Sequence, residues 1–173
     1  MASSFQGLFE TAGIFSPTVT ETQKANYSEI YNEHCHRIYS LSFWMTDHEL
    51  VAEELAANSF LRAFATVEQP SREDIDRAFL KEVREMVPVG VLTLNCQASS
   101  DPTSIRGNMK RVHLERAVVQ LPATEKLIFL MHDVEGYEHD RIARLLGITA
   151  EESKFGLHQA RVLIRELVAR MSY

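Results

Sequence analysis

Apolar side chains recur along this chain with a helical period. Tyr27, Ile30, Tyr31, Ile38, Leu41 and Met45 follow spacings of three, four and seven, which predicts a first helix with one apolar face. Thr46 and Asp47 are suited to cap a second helix, carrying Leu50, Val51, Leu55, Phe60, Leu61 and Phe64. Pro70 and Ser71 open a third, in which Ile75, Phe79, Val83 and Met86 step by about four. Ser71 with Asp74 has the spacing of a capping box, with Asp in place of Glu or Gln. Pro88 and Gly90 break this pattern, and the short apolar run Val89–Leu94 fits a strand, buried coil or a helix remnant. Ala98–Gly107 is turn-rich. Further helices are predicted near Arg111–Gln120, Ala123–Asp133, Tyr137–Leu146 and Ala150–Met171, and strand alternation is weak throughout. The expectation is an all-α chain of two small helical domains, 24–87 and 111–173, joined by a linker over 88–110. Residues 1–23, rich in Ser and Thr and interrupted by Pro17, are expected to form a mobile tail.

The last two helices have the pattern of a helix-turn-helix. Ile142, Leu145 and Leu146 give the first helix a buried face, and Ala143 permits a close crossing. Gly147 supplies a left-handed stop, Ile148 plugs the corner and Thr149 caps the second helix. Leu157, Ala160 and Leu163 or Ile164 form that helix's inner face. The turn by itself fits a DNA reader or an αα-hairpin inside a bundle.

Charge directs the search for a nucleic-acid surface. The net charge is −6, which disfavours indiscriminate nucleic-acid binding. Residues 24–87 hold 7 basic and 12 acidic side chains, whereas residues 109–173 hold 10 basic and 9 acidic, so DNA contact is better sought in the second half. No apolar run approaches the roughly 20 residues of a membrane span. The start of the chain lacks the basic-then-apolar pattern of a secretory leader. Two cysteines, Cys35 and Cys96, do not suggest a disulfide scaffold, and a cytoplasmic location is expected. In His34-Cys35-His36 the two histidines point to nearly opposite sides of a helix, so no metal site is expected. His132-Asp133 and His139-Asp140 lack an accompanying nucleophile motif, and no Gly-rich phosphate loop occurs. No catalytic residues and no cofactor are expected, so the chain is read as a non-enzyme.

A longer series of motifs narrows the reading. Leu121-Pro122-Ala123-Thr124-Glu125-Lys126, Phe129-Leu130, Glu135-Gly136-Tyr137, Arg141-Ile142-Ala143 and Leu146-Gly147-Ile148-Thr149 fall in order, followed by Lys154, Leu157-His158, Ala160-Arg161 and Arg165-Glu166-Leu167. This series is similar to the C-terminal domain of extracytoplasmic-function (ECF) sigma factors of RNA polymerase. In the first half, Tyr31, His34, Arg37 and Ile38-Tyr39, then Ala52-Glu53-Glu54-Leu55, Phe60-Leu61-Arg62-Ala63-Phe64 and Arg77-Ala78-Phe79-Leu80 resemble that family's N-terminal domain. The resemblance implies a C-terminal helix-turn-helix of winged-helix-like or sigma C-terminal type. It implies core RNA polymerase and promoter DNA as partners, with an anti-sigma factor as regulator. It places polymerase contacts at Glu53, Glu54, Leu55, Asn58, Ser59, Leu61 and Arg62. DNA contacts fall at Thr149, Lys154, Phe155, His158 and Arg161 on the recognition helix, and at Arg77, Lys81 and Arg84 on the promoter-melting helix.

Two departures from the family pattern stand out. The melting helix runs through Glu82 and Glu85 into Pro88, placing negative charge where phosphate would approach. The recognition helix carries Phe155 and Gly156 where polar and basic residues are usual, and Gly costs about 1 kcal/mol of helix propensity relative to Ala. An alternative reading is therefore a sigma-like adaptor or decoy that binds an anti-sigma factor or polymerase without melting DNA.

Overall fold

The computed structural model describes residues 21–94 and 111–171. Most of the expected N-terminal tail and the turn-rich segment 98–107 lie outside the described residues. The chain divides into two units, Met1–Met86 and Val87–Tyr173. All regular structure among the described residues is helical.

The first unit holds α1 (Glu21–Thr46), α2 (Glu49–Thr66) and α3 (Arg72–Met86). The aromatic positions of the periodic stripes meet between α1 and α2. Tyr27 lies 4.4 Å from Phe64 and Tyr31 lies 4.9 Å from Phe60, ring centre to ring centre. Ile38, Leu41, Phe60, Ile75, Phe79 and Val83 complete a buried core, each such side chain contributing about 1.5–3 kcal/mol of burial. Leu50 departs from the expected apolar face and remains 69% exposed in the first turn of α2.

The helix ends follow local chemistry. The cap of α2 is His48, rather than Thr46 or Asp47. Thr46 completes α1, with its hydroxyl donating to the Ser42 carbonyl, and Asp47 turns the corner at φ 51°. The His48 ring then accepts from the Val51 N–H. At α3 the Ser71–Asp74 box forms in both directions. The Ser71 N–H and hydroxyl donate to the Asp74 carboxylate at 3.0 and 2.6 Å, and the Asp74 N–H donates back to the Ser71 hydroxyl.

The second unit holds α4 (Arg111–Val119), α5 (Ala123–Phe129), α6 (His139–Leu146) and α7 (Ala150–Met171), with α4, α5 and α6 all packed on α7. A π-helical turn, Leu130–Val134, extends α5, and the Glu135 N–H closes it onto the Leu130 carbonyl. Three consecutive polar residues in the first turn of α5 are buried, and each has a partner. Lys126 caps the end of α4 by donating to the Val119 carbonyl at 2.7 Å. Thr124 and Glu125 instead receive backbone N–H groups from residues 90–94. The run Val89–Leu94 is thus coil rather than strand or helix, and its later part folds onto the second unit. No strand occurs among the described residues, so the winged variant of the expected helix-turn-helix is not formed there.

Candidate nucleic-acid interface

The helix-turn-helix is built by α6 and α7. Ile142, Leu145 and Leu146 are buried on α6, and Leu157, Ala160 and Ile164 on α7; of the two candidates for the last position, Ile164 is fully buried and Leu163 only partly. Gly147 ends α6 at φ 74°, a left-handed conformation that side-chain-bearing residues adopt only at a cost. The N–H groups of Gly147 and Ile148 both close onto the Ala143 carbonyl. Thr149 then opens α7 with a full capping box. The Glu152 N–H donates to the Thr149 hydroxyl, and the Thr149 N–H and hydroxyl donate to the Glu152 carboxylate at 2.7 and 2.9 Å. These bonds hold the Glu152 carboxyl below its ordinary pKa. Thr149 is exposed, but its hydroxyl is committed to the cap.

The outward face beyond the cap carries Lys154 and Phe155. The Lys154 ammonium pairs with Glu151 at 2.7 Å, which raises the lysine's pKa and lowers that of the acid. Phe155 is 48% exposed, an apolar side chain in the middle of the candidate reading face. His158 is half-buried. Arg161 donates through two nitrogens to Asp133, at 2.7 and 3.1 Å, which ties α7 to the π-helical turn. Burial alone would raise the Asp133 carboxyl pKa, but hydrogen bonds from Arg161 and His132 and their charges bring it below its ordinary value.

Gly156 belongs to the opposite, packed face. A Cβ there would lie 2.6 Å from Ile128 Cδ1 and 2.8 Å from Leu92 Cδ2. The glycine therefore does not thin a polar reading surface; it admits the Ile128 and Leu92 side chains against the helix. Beside it a second polar cluster joins three elements. The His132 and His139 rings stack at 4.6 Å, His132 bonds Asp133, and His139 bonds the buried Ser153 hydroxyl at 2.9 Å. These side chains knit the π-helical turn, α6 and α7 together.

In the first unit, two of the predicted polymerase contacts are buried. Leu55 is 3% exposed and Ser59 is 0% exposed, with its hydroxyl donating to the Leu55 carbonyl; both lie on the core-facing side of α2, one turn apart. Glu54 is exposed, and Glu53, Asn58, Leu61 and Arg62 are half-buried. Arg62 bonds Glu82 and Glu85 across the α2–α3 seam, the latter at 2.8 Å. The two acids expected to repel phosphate therefore hold an arginine. Arg77, Lys81 and Arg84 are exposed on α3, with Arg77 paired to Glu73 at 2.5 Å and Asp74 at 3.1 Å. A groove of about 240 Å³ brings Arg62, Thr66, Asp74, Arg77 and Lys81 together. His34 is half-buried and His36 exposed, and no group of three metal-ligating side chains gathers among the described residues. None of the described helices is long and apolar enough to cross a membrane.

Comparison with known proteins follows the same division. Residues 111–164 match the family described as Sigma-70, region 4. The chain is also similar to the ECF RNA polymerase sigma factor SigE of Mycolicibacterium smegmatis, 21% identical over 174 residues that span 92% of this chain and 68% of that one. The region 4 match covers the capped turn and most of the helix that follows it, and the longer likeness to an ECF sigma factor takes in both units.

Proposed function

We propose that this chain binds core RNA polymerase in the cytoplasm and directs it to promoters, as the finer form of a sigma factor's role in transcription initiation. The observation that carries this reading is the helix-turn-helix of α6 and α7, with its left-handed Gly147 and the Thr149–Glu152 box, inside the segment matched to region 4. In this reading Lys154, Phe155 and His158 face the upstream promoter element. Glu53, Glu54, Asn58, Leu61 and Arg62 contribute to the polymerase surface, and Arg77, Lys81 and Arg84 serve at the melting helix. The role is non-enzymatic. Reconstitution with cognate core polymerase tests it: co-elution and a promoter-directed transcript are expected, and loss of both overturns it.

One observation favours a second reading, the adaptor or decoy. Arg62, Arg77, Lys154 and Arg161 are each paired with carboxylates of this same chain, and α3 stops at Met86, just before Pro88. Charges already engaged offer less to phosphate. A decoy binds polymerase or an anti-sigma factor yet leaves promoter DNA closed, which permanganate footprinting distinguishes from a melted start site.

A further inference from the structure

We infer that residues 90–94 form a strap with a dedicated seat on the C-terminal unit, and that this seat sets the length of the tether between the two units. Four contacts define the seat. The Gly90 N–H donates to the Thr124 hydroxyl at 3.2 Å. The N–H groups of Thr93 and Leu94 both donate to one oxygen of Glu125, at 2.6 and 2.8 Å. Leu92 lies in the niche that Gly156 leaves on α7, where a Cβ would come within 2.8 Å of it. Gly90 itself requires glycine, because its φ is +106° and a Cβ would meet the Leu146 carbonyl at 3.0 Å. Val91, between these anchors, is 72% exposed.

The chemistry of the seat fits the strap. Glu125 is fully buried, and a buried acid is costly unless hydrogen-bonded. Two successive backbone N–H groups from the strap supply those bonds, and the start of α5 adds a favourable dipole. Gly156, an unfavourable residue inside a helix, is retained where it gives Leu92 its place. The same strap thus partners the acid in the core and, with Ile128, fills the space that Gly156 leaves on α7.

The consequence concerns reach. With the strap seated, only residues 87–89 lie between the end of α3 at Met86 and the first anchor at Gly90. A chain extends at most about 3.3–3.6 Å per residue, so this tether is short. With the strap released, residues 90–94 join that tether. Seating therefore restricts the separations open to the two units, and release widens them. The strap touches the back of α7 one residue from Phe155, so seating also supports the helix that carries the candidate reading face.

Amide exchange by NMR on the full-length chain tests the seat. The Thr93 and Leu94 amides are expected to exchange at least tenfold more slowly than unprotected ones. Leu92→Ala should abolish that protection while the α6 and α7 amides keep theirs, Glu125→Gln, which keeps one acceptor oxygen, should reduce it, and Val91→Ser should change nothing. Unprotected Thr93 and Leu94 amides in the parent chain, or protection unmoved by Leu92→Ala, overturn the seat. Leu92→Ala keeps the test decisive even if Glu125→Gln unfolds the unit. Dyes placed on the two units then read the tether: Leu92→Ala should broaden the distance distribution, and an unchanged distribution overturns the tether assignment. Neither readout depends on polymerase or DNA, so failure here is distinguishable from failure of the promoter-binding reading.

Discussion

Among the described residues, an arginine–aspartate bridge joins distant segments in each unit, and the two sit at different depths. In the first unit Arg37 of α1 meets Asp76 of α3 at 2.5 Å, with side chains 13% and 2% exposed. In the second, Arg161 of α7 meets Asp133 of the π-helical turn at 2.7 Å, with side chains 24% and 22% exposed. Attraction is stronger where water is excluded, but so is the cost of leaving either charge alone. The deeper bridge is therefore a fastening, whose loss removes the buried carboxylate that Arg37 meets. The shallower one governs availability, because it decides whether a guanidinium on the recognition helix is engaged by the protein or offered to solvent and phosphate.

The largest expected effect follows from breaking the deeper bridge. Asp76→Ala leaves Arg37 buried without its carboxylate and should cost about 3–5 kcal/mol, a large share of the 5–15 kcal/mol typical of a folded domain. Urea titration of the full chain, with amide exchange followed in α1 and α3, measures the loss and localises it to the first unit. If Asp76→Ala costs no more than Asp133→Asn, depth does not separate the two bridges.

Acid tests the comparison more gently, because each bridge has a histidine nearby whose pKa is lowered. His34 is lowered first by burial and then by the charge of Arg37, with Arg72 adding and Glu33 and Asp76 opposing. His139 is lowered first by burial and then by His132, with Lys154 and Arg161 adding and Glu138 opposing. A histidine lowered in the folded chain binds fewer protons there than in the unfolded chain. Its contribution is therefore fully present above the ordinary value of 6.5 and is lost as pH falls from there through the lowered value. Asp133 is also lowered, from 3.8, so its bridge to Arg161 outlasts that window as pH falls. Protection factors of the α1 and α6 amides, corrected for the intrinsic pH dependence of exchange, should fall between pH 7 and pH 5, by less than Asp76→Ala lowers those of α1. His34→Gln should remove the α1 response and His139→Gln the α6 response. A pH-independent α6, or one unmoved by His139→Gln, would show that the stacked His132–His139 pair tolerates charge.

These pairings also mark where the sequence was legible. Gly147, Thr149 and the Ser71–Asp74 box act within one turn of chain, so residue type and spacing suffice to predict them. The aromatic contacts of Tyr27 and Tyr31 with Phe64 and Phe60 follow from the helical period. Interactions between distant segments did not show in the same way. Glu82 and Glu85 looked like obstacles to phosphate because nothing local reveals that Arg62, on another helix, lies against them. Gly156 looked like a weak point because its reasons, Ile128 and Leu92, come from two remote segments. A buried acid such as Glu125 carries no periodic signal, because polar residues are ordinary in the first turn of a helix. Leu55 and Ser59 lie with Ala52, Ala56 and Phe60 on the buried side of α2, as the helical period of that segment implies.

The smallest effect on stability belongs to the shallower bridge, and it is the most informative for function. Asp133→Asn should alter unfolding free energy by less than about 1 kcal/mol, in line with partly exposed ion pairs. If the bridge restrains Arg161, the same substitution should tighten binding to duplex DNA and steepen the dependence of log K on log salt by about one unit, as one more phosphate contact would. Arg161→Ala in the parent chain should then change affinity little, whereas on the Asp133→Asn background it should reverse the gain. Lys154→Ala supplies the scale, since Lys154 is exposed and its partner Glu151 lies on its own helix. If Arg161→Ala alone weakens binding as much as Lys154→Ala does, Arg161 already reaches DNA with its bridge intact. The distinction between a fastening and a restraint would then fail at the shallower site.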